Sequence, residues 1–238
     1  MQIERKVIAL RNKVLFKIFL RMTTTHEQLN DLREIRALME RSSRFIGLSG
    51  LSGIAAGICA LMGAAATYIY LDTRPFQYDH QAAHLYYDHA LSASKWGINY
   101  INFFILVGSF TILAAVSFGI LFTTRNARRK GQSIWDATAR RLLTNLIIPL
   151  GAGGLFCLAM LLNGSIAYLA PATLVFYGLA LVNGSKYTLH DVYYLGLVEI
   201  TLGIAAMFLL RFGLEFWVIG FGFLHIIYGV MMYYKYEK

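Results

Sequence analysis

Apolar residues in this chain come in long uncharged runs. The first extends from Phe45 to Leu71, 27 residues closed by Arg44 and Asp72. At about 1.5 Å per residue such a run crosses a hydrocarbon core of roughly 30 Å with length left for tilt. A second run, Gly97 to Thr124, holds 28 uncharged residues. The third, Leu142 to Ser185, is uncharged for 44 residues, too long for one crossing, and the stretch NGSIAYLAP with Pro171 divides it. Val192 to Leu210 and Phe212 to Tyr234 complete the set, with Arg211 between them. The pattern predicts an all-α, polytopic membrane helix bundle with six transmembrane helices at about 45–71, 98–122, 142–162, 166–183, 192–210 and 213–234, followed by a short tail, 235–238.

Residues 1–44 precede the first run and read as an amphipathic helical segment. Arg5, Lys6, Arg11, Lys13, Lys17 and Arg21 alternate with Val7, Leu10, Val14 and Ile18 on one helical face, the pattern of a basic helix lying on an anionic membrane surface. Its charges interrupt any apolar core, so it is not a signal peptide, and Met22 offers an alternative start. THEQ at Thr25–Gln28 forms a capping box, after which Leu29, Leu32, Ile35 and Met39 repeat at helical spacing. Arg36, Glu40 and Arg44 stand four apart, as on a solvated face or a partner surface.

Composition sharpens the class: 57% of residues are apolar and 15% charged. The net charge of +9 could suggest nucleic acid, but 19 of the 22 Lys and Arg fall in segments on one side of the spans, and only Arg74, Lys95 and Arg211 fall on the other. By the positive-inside rule that side is cytoplasmic and holds both termini, so the basic balance reports topology and nucleic acid is not a partner. The lipid bilayer is. A cytoplasmic protein could dock on residues 22–44 or 123–141, and Ser49, Gly53 and Gly57 make a small face suited to another helix of this chain or to a homo-oligomer. Cys59 and Cys157 lie in apolar runs without ligand spacing.

Candidate chemistry is sparse. Glu199 and His225 are ionisable groups inside the fifth and sixth spans, at similar depth, each flanked by glycines (Gly196 and Gly203; Gly222 and Gly229). Intramembrane charges are expensive, so such a pair reads in three ways: a hydrogen-bonded lock on the last hairpin, a proton-relay or ligand site in a transporter-like cavity, or a metal or catalytic site. In the loop after the first span, His80, His84 and Asp88 follow one another at four-residue steps and would share a helical face fit for a divalent metal, with an interfacial helix bearing Tyr78, Tyr86 and Tyr87 as the plainer reading. Glu215 pairs by spacing with Arg211, while His26 and His190 fall in polar or turn segments. Ser133 with Asp136 suggests a cap opening the third helix, and the two NGS triplets at Asn163 and Asn183 suggest turns bracketing the fourth. The chain holds no nucleophile elbow, P-loop, dinucleotide fingerprint or HExxH.

The stretch RSSRFIGLSGLSGIAAG, at the approach to the first span, resembles uncharacterised six-span integral membrane proteins of Bacteroidetes-type bacteria. That resemblance implies a bacterial inner-membrane location and no activity. Three classes stay open: a non-enzymatic scaffold, sensor or partner-binding protein, which the sequence favours; a small-solute or proton-coupled transporter using Glu199 and His225; and a metal-dependent membrane enzyme.

Overall fold

The computed structural model describes residues 45, 47–76, 94–131 and 135–238. The amphipathic segment 1–44, the loop carrying His80, His84, Asp88 and His89, and Ser133 lie outside the described residues. Among the described residues, six helical segments are long and apolar enough to cross a membrane: Gly50–Leu71, Tyr100–Arg129, Ala137–Leu162, Ile166–Tyr187, Asp191–Phe208 and Leu210–Tyr236. This is the all-α architecture of a multi-pass membrane protein. We label the helices α1 (Gly50–Leu71), α2 (Tyr100–Arg129), α3 (Ala137–Leu162), α4 (Leu169–Gly184), α5 (Asp191–Phe208), α6 (Gly213–Trp217) and α7 (His225–Tyr236), with a π-helical turn Val218–Leu224 joining α6 to α7.

Several boundaries depart from the apolar pattern, each for a local reason. Residues 45 and 47–49 are not helical. Phe45 is tied to the end of α4, its N–H donating to Tyr187 O (2.7 Å) and its carbonyl accepting from Thr188 Oγ1 (2.7 Å). Asn126 Nδ2 donates to the carbonyls of Gly47 (3.3 Å) and Leu48 (3.0 Å). The free amide of Gly50 then points to the Glu237 carboxylate, which also accepts from Ser49 Oγ at 3.1 Å, so the far end of the chain caps the first span. Helix α2 continues past the uncharged run to Arg129, because Arg and Ala favour helix as well as the apolar residues do. Helix α3 starts at Ala137, capped by Asp136 Oδ1 accepting from Ala139 N at 2.6 Å.

The first NGS triplet ends α3 as a Schellman motif. Gly164 is left-handed (φ 74), Ser165 N–H reaches Met160 O at 2.8 Å, and Gly164 N–H reaches Leu161 O at 3.1 Å. Pro171 sits in the first turn of α4, where its missing N–H is harmless, and it does not break the run. The second triplet is no turn: Asn183 and Gly184 are helical. Its asparagine repairs another defect. Pro149 lies inside α3 and cannot donate to the carbonyl four residues earlier, that of Asn145, and Asn183 Nδ2 donates to that carbonyl at 3.1 Å and to Asn145 Oδ1 at 3.0 Å.

Glycines set the helix spacing. An added Cβ on Gly57 would meet Ile226 Cγ1 at 2.6 Å and Gly222 O at 2.7 Å, so the Ser49/Gly53/Gly57 face of α1 packs within this chain against the last span. On α4 and α5, a Cβ on Gly178 would lie 2.6 Å from Gly196 O. Helix α2, by contrast, stands with Phe110, Ile112, Leu113 and Ile120 exposed, a surface suited to hydrocarbon. Before α2, the strands β1 (Ser94–Lys95) and β2 (Ile98–Asn99) form a hairpin across Trp96 and Gly97, both left-handed (φ 56 and 73) as a two-residue primed turn requires. Tyr70 stacks on Phe103 (centroids 3.7 Å apart) and donates to Ile98 O at 2.8 Å, while Lys95 Nζ reaches Ile69 O (2.7 Å) and Asp72 Oδ1 (2.6 Å). These contacts sort the helix ends into two faces: residues 45–50, 126, 187–191 and 235–237 at one, and residues 70–76, 94–99 and 215 at the other.

Candidate functional site

Glu199 lies eight residues into α5 and is completely buried, at 0% exposure. The glycines around it explain how α5 can bring a carboxyl so far inside. Gly196 and Gly203 let α4 approach its backbone closely, and Gly220 leaves the space the carboxyl occupies: a Cβ there would lie 2.5 Å from both Glu199 Oε2 and Leu174 Cδ2. Gly220 belongs to the π-helical turn, where the winding is wider than in an α-helix.

His225 follows that turn and is 5% exposed. Its Nδ1 lies 2.9 Å from Gly220 O and 3.5 Å from Glu199 Oε1. The carbonyl can only accept, so Nδ1 carries a hydrogen and donates it to Gly220. In the neutral ring Nε2 is then an acceptor, and the Tyr177 hydroxyl donates to it across 2.7 Å. Glu199 is the odd member. Neither of its oxygens has a hydrogen-bond partner among the described residues, and its nearest polar neighbour already donates elsewhere. A second orphan lies close by on α7, where the Tyr228 hydroxyl is buried without a partner among the described residues. An aromatic ladder runs outward from the imidazole: His225 against Phe221 (5.8 Å) and Phe221 against Trp217 (5.0 Å), with Tyr177 packed on both Phe221 (4.9 Å) and His225 (5.2 Å).

The structure thus brings Glu199 and His225 together and adds Tyr177, Gly220 and Tyr228, which the sequence reading did not single out. Tyr177 carried a usable signal. It is eleven residues after Ile166 and ten before Tyr187, the middle of its span, whereas membrane tyrosines gather at the interfaces. Glu215 Oε1 accepts from Phe76 N at 3.3 Å. His190 is exposed and stacks on Tyr193 at 5.8 Å. The candidate metal ligands His80, His84 and Asp88 lie outside the described residues, and no group of three His, Cys, Asp or Glu side chains among the described residues is placed to hold an ion.

Fold and site together define a class: a multi-pass helical membrane protein with a buried carboxyl, imidazole and phenol in its core. Comparison with family models, curated proteins and solved structures gave no match.

Proposed function

We propose that this chain is a proton-coupled carrier of a small solute, in which Glu199 takes up and releases a proton and His225 with Tyr177 positions and relays it. The carrying observation is the orphaned Glu199 carboxyl. A purely structural pair in a bilayer interior satisfies its hydrogen bonds, because an unpaired polar group there costs several kcal/mol. Here the imidazole spends its Nδ1–H on Gly220 O, leaving the carboxyl without a hydrogen-bond partner among the described residues. The π-helical turn supports the reading, since such turns change register locally and recur at functional sites. We place the protein in a bacterial inner membrane with both termini cytoplasmic, on the asymmetry of its basic residues and the resemblance of its first span.

The second reading, a non-enzymatic scaffold or partner-binding protein, draws on the closure of the same site, which has almost no exposed surface. The two part on one measurement. With Trp96→Phe and Trp135→Phe, Trp217 is the remaining reporter at the end of the ladder to His225. In liposomes its emission should titrate with pH, and Glu199→Gln should flatten the titration. An emission that ignores pH, or one that titrates identically in the Gln variant, would overturn the proton-coupled reading.

A further inference from the structure

A groove of about 200 Å³ runs between α5 and the last span, walled by Leu195, Val198, Leu224, Ile227 and Met231, with Asp191 at its end. Val198, Ile227 and Met231 are exposed, so the groove opens away from the bundle core, toward where the hydrocarbon lies. Its mouth is a dipole. Lys235 Nζ holds Asp191 Oδ1 and Oδ2 at 3.0 and 2.8 Å, and the Tyr236 hydroxyl donates to Asp191 Oδ2 at 2.7 Å. The Lys235 side chain remains half exposed at 52%. We infer that this groove binds one glycerophospholipid with a primary-amine headgroup, its acyl chain between α5 and α7, its phosphate on Lys235 and its ammonium on Asp191.

Size and charge both select that occupant. A helix about 10 Å across does not fit a groove this small, whereas a single hydrocarbon chain does. In a bilayer the chain gains little by leaving other chains, because lipid tails are as apolar as the groove, so the headgroup decides selection. A purely anionic head would draw Lys235 to its phosphate and bring no cation of its own for Asp191. A choline head brings a cation that cannot donate a hydrogen bond to the carboxylate. A primary ammonium beside a phosphate matches both charges at the mouth. The inference does not rest on the proton-coupled reading: Tyr228 lines the groove, but neither Glu199 nor His225 does.

Native mass spectrometry of the purified protein, after delipidation and incubation with equal amounts of phosphatidylethanolamine, phosphatidylglycerol and phosphatidylcholine, tests it. One phosphatidylethanolamine per chain should be retained, and Asp191→Asn should reduce its occupancy roughly tenfold relative to phosphatidylglycerol, a shift of about 1.4 kcal/mol. Val198→Trp fills the groove without touching the mouth and should abolish retention of all three. Equal retention of the three lipids by the unaltered protein, no retention at all, or binding indifferent to both substitutions would overturn the assignment.

Discussion

Glu199 and His225 share one cluster, yet their removal should have opposite effects. His225→Phe strands the Gly220 carbonyl and the Tyr177 hydroxyl, so thermal unfolding in detergent should show a loss of about 1–3 kcal/mol. Glu199→Met deletes a carboxyl without a hydrogen-bond partner among the described residues and should raise the unfolding temperature, as expected where stability is given up for activity. Were Glu199→Met to cost as much as His225→Phe, the pair would be a lock and the proton-coupled reading would fail. Gly220→Ala should cost about 1–3 kcal/mol through its clash with Glu199 Oε2 and Leu174, and adding Glu199→Ala should recover part of it. At this scale the sequence revealed the pair, because ionisable residues in apolar runs are conspicuous. Tyr177 was legible only through its place in the middle of a span, and Gly220 was hidden, because a glycine shows nothing of the side chain that fills its space.

Among the helices, the informative defect is Pro149. Asn183→Leu would leave the Asn145 carbonyl unpaired inside α3, and a loss of about 0.6–1.7 kcal/mol in a denaturation series is expected, the range measured for hydrogen bonds between membrane helices. No loss would mean that the carbonyl finds another donor. Glycine substitutions give a parallel contrast: Gly57→Ala drives a methyl into Ile226 and Gly222, whereas Gly108→Ala and Gly119→Ala on α2 meet nothing within 4 Å and should leave stability unchanged. The six spans were legible because length without charge is a strong signal. Their ends were not, because a helix stops where its amides and carbonyls find other partners. Asn126 and Glu237, which terminate α1, are 76 and 187 residues away from Gly50 along the chain.

For the whole molecule, the two faces of helix ends make orientation testable. In a background lacking Cys59 and Cys157, a cysteine at position 74 should react with an impermeant reagent added outside intact cells, and one at position 128 should react only after permeabilisation. The reverse pattern would invert the topology inferred from basic residues. The packing of α1 against the last span also has a temporal side. Gly57 is translated 165 residues before Gly222, so at roughly 5–20 residues per second the small face of the first span waits on the order of ten to thirty seconds for its native partner. Throughout that interval an uncovered glycine stripe sits in the membrane without its cap, since Glu237 is made 187 residues after Gly50. Synthesis of this protein is therefore a race between the helix bearing Gly222 and any other small-faced helix nearby, and slowing the ribosome between the codons for Gly57 and Gly222 should raise the yield of mispaired chains.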